Sequence, residues 1–203
     1  MVDHLVAEEF CEVKFNPSAD GLDIQVETQN LFIRSYRDSD LDSCIDLYGD
    51  PIITKYFDHG APRSEVEVQD LVALRGASLF KNNIPLGLFS VFLKETGEFV
   101  GQVDLLPTDD PSTVEIGCIL FQQFQSSGIG TEATRAMIFQ YTRVLFEKGY
   151  RNLIGLPIDK IMGTVHPNNR ASLCLVRKIG MVFQKNKERF GKPRMWFLLH
   201  LSY

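Results

Sequence analysis

The sequence has 203 residues, of which 44% are hydrophobic and 23% are charged, so one compact domain with a well-developed core is expected. Its formal net charge of -5 argues against a nucleic-acid-binding surface, because phosphate contacts require clustered lysines and arginines. No apolar run approaches the roughly 18 residues that a membrane span needs, and the start of the chain lacks the basic and apolar pattern of a secretory signal.

Four cysteines are spread along the chain without any CxxC or CxxH pair: Cys11, Cys44, Cys118 and Cys174. This spacing predicts neither a metal site nor a dithiol redox site. Scattered thiols are typical of reduced proteins, so a cytoplasmic location is expected. We expect no metal, no nucleic-acid partner and no membrane partner, and the sequence is compatible with a monomer or a homodimer.

Residues 1–30 differ from the rest of the chain and predict an N-terminal extension. Apolar and polar residues alternate over 10–15 and 22–26, on either side of a turn-rich segment at 16–21, which is typical of a β-hairpin. Such a hairpin could cover a sheet edge or contact a second copy of the chain, and the sequence leaves both open. Residues 31–203 form the predicted main domain.

From residue 31 onward, the patterns follow the order β-α-α-β-β-β-α-β-α-β-β, which indicates an α+β domain with a mixed sheet. Strands are predicted at 31–36, 86–93, 99–105, 114–121, 161–165, 181–184 and 194–201. Helices are predicted at about 41–47, 64–81, 128–148 and 170–178. The second helix has a predicted apolar face of Val66, Val68, Leu71, Val72, Leu74 and Leu79.

The most informative segment is Gln125-Ser126-Ser127-Gly128-Ile129-Gly130, which joins the fourth of these strands to the long helix. A helix N-terminus has unpaired N–H groups and a partial positive charge, and glycines let an anion approach, so this loop suits a phosphate or pyrophosphate. A P-loop would require a lysine where Thr131 stands, and a dinucleotide-binding fold would require GxGxxG early in a βαβ unit. The third possibility is the Gln/Arg-x-x-Gly-x-Gly/Ala loop of GNAT enzymes, matched at every fixed position; a turn without a ligand is the fourth.

Three further blocks resemble the RimJ/RimL branch of the GNAT superfamily of N-acetyltransferases. They are Glu115-Ile116-Gly117 before the loop, Asn169-Arg170-Ala171-Ser172 with Lys178-Ile179-Gly180-Met181 after it, and the opening segment 28–34 with Asp40-Leu41. All blocks stand in the family's order and together cover about residues 28–203. By this resemblance the sequence is identified as a member of the superfamily.

The resemblance implies the GNAT (acyl-CoA N-acyltransferase) fold, with about seven strands, about four helices and a sheet splayed between its fourth and fifth core strands. It places acetyl-CoA, the co-substrate, in that split, with its pyrophosphate on residues 126–131 and its pantetheine arm along the preceding strand. The residues expected to contact acetyl-CoA are Ile119, Leu120, Phe121, Gln125, Ser126, Ser127, Gly128, Ile129, Gly130, Thr131 and Asn169. Asn169 also suits a helix N-cap, and the two roles are compatible.

The implied reaction is attack of a neutral amine on a thioester, and two residues are candidates for its proton transfers. Glu115 stands alone among apolar residues, on the same strand face as Gly117 and Ile119, where desolvation would favour proton uptake by its carboxylate. A structural carboxylate bonded to neighbouring backbone is the equally weighted alternative. Ser172 stands where the branch is thought to place the proton donor for the leaving thiolate, since Val176 replaces the tyrosine of many GNAT enzymes. Ser172 could instead cap its own helix.

The expected acceptor is a primary amine, and the branch favours a protein N-terminal α-amine. The resemblance places Tyr56 and Phe57 at the acceptor pocket, although ordinary packing explains them equally well. Structural roles are expected for Glu132 and His166. A small-molecule amine (polyamine, aminoglycoside or amino-acid-like) is the close alternative. A non-catalytic CoA-binding or interaction module is a further one.

Overall fold

A computed structural model describes residues 10–18, 21–151 and 155–203. Over these residues the chain forms one nine-stranded sheet with helices packed on both faces. The strands are β1 (Glu12–Ser18), β2 (Gly21–Glu27), β3 (Leu31–Ser35), β4 (Gly87–Leu93), β5 (Phe99–Pro107), β6 (Thr113–Leu120), β7 (Lys160–Val165), β8 (Val182–Arg189) and β9 (Lys192–His200).

Two long helices of the described chain contain a π-helical segment, at Ala73–Ala77 and at Ala136–Tyr141. The helices are α1 (Leu41–Gly49), α2 (Pro51–Thr54), α3 (Glu65–Val72), α4 (Ser78–Lys81), α5 (Ile129–Arg135), α6 (Thr142–Glu147) and α7 (Arg170–Ile179). The first π-helical segment joins α3 to α4, and the second joins α5 to α6. The short helix α2, which Asp50 caps, is absent from the sequence prediction.

The strand order is β1-β2-β3-β4-β5-β6-β7-β9-β8, and every neighbouring pair is antiparallel except β6 and β7. Those two pair only where residues 113–115 lie beside residues 160–162, whereas β6 stays paired with β5 as far as Leu120. Beyond Glu115 the parallel strands separate and leave a split in the sheet. The predicted mixed sheet, splayed between its fourth and fifth core strands, is confirmed.

The N-terminal hairpin adds two strands to one side of this sheet. β1 pairs with β2, and β2 pairs in turn with β3. Ile24 and Val26 of β2 are fully buried in the same core as the strands that follow. The hairpin therefore extends the sheet beyond β3, while the division of the chain at residue 30 stays a prediction.

Two residues of the apolar face predicted for the second helix are exposed instead: Val66 at 65% and Leu74 at 69%. Val66 lies two positions from the buried Val68, and residues two apart point to opposite sides of a helix. Leu74 lies in the π-helical segment, whose wider turn changes the helical phase. After that segment, Phe80 is the residue of this helix that is buried in the core.

The core has two parts, one on each face of the sheet. The larger contains Val103 and Leu105 of β5 against Met137 and Tyr141 of the second long helix. The smaller packs α1 and α3 on the opposite face. No helix within the described ranges combines the length and apolar character required to cross a membrane, and those ranges contain no group of three or more His, Cys, Asp or Glu side chains placed to hold a metal ion.

Candidate active site

A cavity of about 560 Å³ occupies the split between β6 and β7. The loop after β6, the start of α5 and the start of α7 line one part of it, which we call the loop end. Ile53, Tyr56, Phe57, His166 and Arg194 line the other part, which we call the α2 end. The fourth and fifth core strands thus bring together residues that lie more than one hundred positions apart in the chain.

The loop end presents five consecutive backbone N–H groups, those of residues 126–130, which donate to no acceptor in the described ranges of the chain. Ser126 and Gly128 have left-handed backbone conformations, with φ values of 62° and 94°. Successive amides in such alternating conformations form a concave nest that binds anions. The helix that follows adds the partial positive charge of its N-terminus. These donors fit a phosphate or pyrophosphate.

Gly128 is required for its conformation rather than for space. A Cβ atom at this position would meet nothing within 4 Å, although its φ of 94° is one that side chains disfavour. The amide Nε2 of Gln125 donates to the carbonyl oxygen of Leu120 at 3.0 Å. This bond ties the start of the loop to the end of β6 and fixes the direction of its N–H groups.

Asn169 and Ser172 lie at the start of α7 and line the cavity. The side-chain oxygen of Asn169 accepts a hydrogen bond of 3.1 Å from the backbone N–H of Ser172, so Asn169 is the N-cap of α7. Its side-chain NH₂ group remains available to a ligand. The Ser172 hydroxyl has no hydrogen-bond partner in the part of the chain that the structure describes, which leaves it free to donate a proton.

Most residues predicted to contact acetyl-CoA line the cavity: Ile119, Leu120, Gln125, Ser126, Gly128, Gly130, Thr131 and Asn169. The side chains of Phe121, Ser127 and Ile129 do not. Phe121 packs against Phe99 with ring centroids 6.1 Å apart, Ser127 donates to the Phe124 carbonyl oxygen at 2.6 Å, and Ile129 packs against the larger core. Only the backbone N–H groups of Ser127 and Ile129 remain available to an anion.

Glu115 lies outside the cavity lining and forms an ion pair with Arg189 of β8. The pair is bidentate, with a distance of 3.0 Å between Arg189 Nη2 and Glu115 Oε2, and the Thr164 hydroxyl donates to the same carboxylate at 3.4 Å. The partners of Glu115 are therefore side chains, instead of the neighbouring backbone that the sequence suggested. Arg189 was not predicted at the site because the strand predicted at 181–184 continues to residue 189. Its second half consists mainly of charged residues, which are common on edge strands but lack the apolar alternation that predicts a strand.

Arg194 of β9 organises the α2 end. It is only 4% exposed, and its guanidinium donates to the carbonyl oxygens of Tyr56 at 2.8 Å and Asp58 at 2.7 Å. Tyr56 in turn stacks on His166 with ring centroids 5.0 Å apart. The sequence did not predict a role for Arg194 at the site, because its partners lie 136 and 138 positions away. No local sequence pattern indicates a contact over such a separation.

His166 has the features of a structural residue. Its Nδ1 accepts a hydrogen bond of 3.1 Å from the backbone N–H of Asn168, so the neutral ring carries its proton on Nε2. Partial burial and the nearby Arg194 and Lys192 lower the pKa of His166 below its ordinary value. The ring is therefore neutral at neutral pH, and the nitrogen that faces away from the backbone has no free lone pair.

The charged side chains that line the described cavity are all basic: Arg170, Lys178 and Arg194. Asp58, just beyond the α2 end, is bound by Arg63. Cys118 also lines the cavity, but desolvation raises the pKa of its thiol to about 12. That thiol is neutral at physiological pH and a poor nucleophile, because the thiolate is the reactive form.

Comparison with known proteins agrees with this geometry. Residues 30–182 match the model of the acetyltransferase (GNAT) domain family. The chain is 28% identical over 102 residues to the uncharacterized protein YkkB of Bacillus subtilis, a match that covers 49% of this chain and about half (53%) of that protein. It is 23% identical over 158 residues to the uncharacterized N-acetyltransferase YnaD of the same organism, covering 78% of this chain and 82% of YnaD.

Solved structures share the fold at low sequence identity. The ribosomal L7/L12 alpha-N-protein acetyltransferase RimL superposes with a TM-score of 0.69 at 15% identity, covering 93% of this chain and 100% of RimL. The spermidine N-acetyltransferase of Vibrio cholerae, in complex with CoA and spermine, gives a TM-score of 0.60 at 18% identity, covering 84% of this chain and 95% of that one. The split sheet, the anion-binding loop and the family match lead to one conclusion: this chain belongs to the GNAT family of acetyl-CoA-dependent N-acetyltransferases.

Proposed function

We propose that this acetyltransferase transfers the acetyl group of acetyl-CoA directly to a protein N-terminal α-amine. The charge of the cavity carries this proposal. Among the described residues that line it there is no Asp or Glu, whereas Arg170, Lys178 and Arg194 contribute positive charge. A polyamine, which carries several positive charges, would be repelled by such a lining. A peptide N-terminus carries one charge and loses it readily.

The ionisation of the acceptor favours the same choice. At pH 7 an α-ammonium with a pKa near 7.8 loses its proton at a cost of about 1 kcal/mol, whereas a lysine-like amine with a pKa of about 10.4 costs roughly 4.6 kcal/mol. Glu115 is engaged by Arg189, so it does not accept the proton itself. An α-amine needs less help with deprotonation than a side-chain amine, which suits a cavity with no Asp or Glu among the described residues of its lining.

The proposed roles of the chain's own groups follow from their positions. The N–H groups of residues 126–130 bind the pyrophosphate, and the side-chain NH₂ of Asn169 donates to the pantetheine arm. Acetyl-CoA supplies the acetyl group as an activated thioester. The neutral amine nitrogen forms a bond to the carbonyl carbon, the carbon–sulfur bond breaks, and the hydroxyl of Ser172 donates a proton to the leaving thiolate. The proton that the acetylated nitrogen releases returns through water to the Ser172 oxygen. Tyr56 and Phe57 form the wall against which the acceptor lies.

The shared fold does not choose the acceptor. RimL is named for an α-N-protein substrate and the Vibrio cholerae enzyme for spermidine, and both have this architecture. The preference proposed here depends on the cavity lining of this chain. A cytoplasmic location, expected from the scattered thiols, stays a prediction, as does a monomeric or homodimeric state.

An acceptor panel tests the proposal. We would compare three acceptors at equal concentration by thiol release and mass spectrometry: a lysine-free peptide with a free N-terminus, a peptide with a blocked N-terminus and one internal lysine, and spermidine. We expect acetylation of the first and background rates for the other two. Preferential acetylation of spermidine or of the lysine side chain would refute the α-amine assignment. The Gly128→Glu variant provides the control for cofactor-dependent turnover.

A further inference from the structure

One buried carboxyl group at the split has no role so far. Asp104 of β5 stands opposite Gly117 of β6 in the strand register. Its Oδ1 atom lies 2.0 Å from the position that a Cβ at residue 117 would occupy. Any side chain at 117 would displace the carboxyl group, so the glycine is required for this approach. Gly117 itself lines the cavity, and no side chain at that position separates Asp104 from it.

Asp104 differs from the neighbouring acids in having no basic partner. Glu115 is bound by Arg189 and Asp58 by Arg63, whereas no side chain in the described ranges donates a hydrogen bond to Asp104. The backbone N–H of Gly117 favours the charged form of this carboxylate. Only 9% of the Asp104 surface is exposed, so the group is largely shielded from bulk solvent.

The titratable and charged groups that act electrostatically on Asp104 come from several elements. They are Glu115 on β6, Asp58 after α2, Tyr48 on α1, Arg75 in the π-helical segment and Arg189 on β8. Cys118 on β6 also interacts with Asp104, although it pairs with Val103 and so lies on the opposite face of the sheet. Burial, followed by the charge of Glu115, raises the pKa of Asp104 to about 7, and the charge of Arg75 acts in the opposite direction. Burial also raises the pKa of Tyr48 well above its ordinary value, so Tyr48 stays neutral.

The position of Gly117 matches the reacting end of an extended ligand. An anion bound by the loop fixes one end, and an arm that runs back along β6 passes residues 120 to 117. At about 3.3 Å per residue, Gly117 lies about 13 Å from Phe121 along the strand. The split closes two residues further on, where β6 and β7 pair. The reacting group therefore lies beside the segment that Asp104 contacts.

We propose that Asp104 accepts, through one water molecule, the proton that the acceptor ammonium releases before its nitrogen attacks the thioester. This inference rests on the proposed function only in that the acceptor is an amine. The proton moves from the ammonium nitrogen to water and from that water to the Asp104 carboxylate. The freed lone pair forms the carbon–nitrogen bond, and the electron pair of the broken carbon–sulfur bond leaves with the thiolate, which Ser172 protonates. The second proton of the attacking nitrogen passes through water to the Ser172 oxygen, so the amide is neutral and the hydroxyl is restored.

The chemistry suits a carboxyl group in this setting. A general base is most effective when its pKa lies near the operating pH, and a carboxylate held by an arginine would be a weaker proton acceptor. The close packing of Asp104 against Gly117 buries the carboxyl group, and the lack of a basic partner leaves its charge uncompensated. Both keep the pKa of Asp104 above that of an ordinary carboxyl group. Glu115, fixed by Arg189, supplies the negative charge that makes Asp104 more basic and is thus a positioning residue.

The test compares Asp104→Asn with Glu115→Gln over a range of pH, with two acceptor peptides whose amine pKa values differ. An ionisation of the enzyme stays at the same pH with both peptides, whereas an ionisation of the acceptor moves. For the wild type we expect an enzyme ionisation near pH 7 below which kcat/KM falls. Asp104→Asn should remove it and lower kcat about 100-fold. Glu115→Gln should move it to lower pH, since the charge that raises the Asp104 pKa is gone.

Each outcome decides the question. If Asp104→Asn keeps the wild-type rate and pH profile, the inference is wrong and Asp104 is structural. Acetyl-CoA affinity, expected to be unchanged in this variant, shows that the fold is intact. If the variant does not fold, Glu115→Gln decides alone, because an unmoved ionisation would exclude Asp104. Acetylation of spermidine instead of peptides, with the same Asp104-dependent profile, would refute the proposed acceptor and leave this inference standing.

Discussion

The hydrogen-bond donors after β6 in the loop end of the cavity are backbone amides from one short segment, whereas the α2 end consists of side chains from three separate segments. The loop end depends on residues 125–131, whose N–H groups need only the correct backbone conformation. The α2 end depends on Arg194 holding the carbonyl groups of Tyr56 and Asp58, and on the stacking of Tyr56 against His166. Under the proposed function, the loop end binds acetyl-CoA, and the α2 end surrounds the acceptor amine.

This difference predicts how each end responds to substitution. Backbone donors cannot be removed by truncating a side chain, so the loop end fails only when its conformation or charge changes. Side-chain networks at the α2 end and beneath it fail when one partner is lost and the other remains buried. Variants at the two ends should therefore separate cofactor affinity from stability and turnover.

The largest effect is expected from Gly128→Glu, which places a carboxylate among the N–H donors of the loop. A negative charge about 5 Å from a pyrophosphate costs roughly 3 kcal/mol at a protein surface, so the dissociation constant of acetyl-CoA should rise at least about 100-fold. Calorimetric titration of acetyl-CoA and CoA measures this change.

Gly128→Ala is the matched control. It imposes the same backbone strain at a φ of 94°, and its Cβ meets no atom within 4 Å, so it should weaken binding by about tenfold or less, since the left-handed conformation costs roughly 1 kcal/mol. If the glutamate and alanine variants bind equally well, the loop is not the pyrophosphate site.

The next effect concerns the ion pair between Glu115 and Arg189, which underlies the α2 end. Arg189→Met leaves the carboxylate of Glu115 only 19% exposed and without its cation. We expect the free energy of unfolding to fall by about 2 kcal/mol, between the values for exposed and fully buried pairs. Chemical denaturation measures it. A double variant with Glu115→Gln should recover part of the loss; strictly additive losses would show that the pair is not coupled.

How much of the site the sequence predicts follows from the same contrast. The loop end is contained in one continuous segment, and a glycine pattern before a long helix specifies backbone donors directly. Spacing and family resemblance could therefore single out Gln125, Gly128 and Gly130, which line the cavity, while their contact with acetyl-CoA stays a prediction. The strand and helix order of residues 31–203 could also be predicted, because the central strands are short, nearly continuous apolar runs that are buried and the helices repeat their apolar residues at the helical period.

Arg189, Arg194 and Asp104 could not be found in this way. Arg189 lies 74 positions from Glu115 on a strand whose residues are nearly all exposed, so no hydrophobic alternation marks it. Asp104 looks like a surface residue until the register places it over Gly117. Contacts of this kind join segments that are far apart in the chain, and a single sequence does not encode strand pairing in any local pattern.

A smaller effect is expected from Ser172→Ala at the start of α7. The Ser172 hydroxyl lines the cavity, and its loss should lower kcat about tenfold, less than for a base, because water can also protonate the leaving thiolate. KM for acetyl-CoA should change little. Steady-state kinetics separates the two constants, and Ser172→Thr, which keeps the hydroxyl, should retain most activity. An unchanged kcat in the alanine variant would show that Ser172 does not donate the proton to the thiolate.

The smallest effect should come from Glu132→Gln, which tests whether an acid next to the anion site serves structure alone. Glu132 accepts hydrogen bonds from the Thr28 hydroxyl at 2.6 Å and from the backbone and side-chain amides of Asn30, both at 2.9 Å. These bonds fasten the connection between β2 and β3 to the first turn of α5. An amide can accept only part of them, so we expect a loss of about 1 kcal/mol in stability. Glu147→Gln, on the exposed end of the same long helix, should have no measurable effect.

The Glu132→Gln variant should change acetyl-CoA affinity only slightly, because the Glu132 carboxylate is bonded to Thr28 and Asn30. A screened surface charge repels an anion weakly, so removing the charge should raise the affinity no more than about threefold. A much larger gain in affinity would mean that Glu132 opposes the pyrophosphate directly and belongs to the loop end.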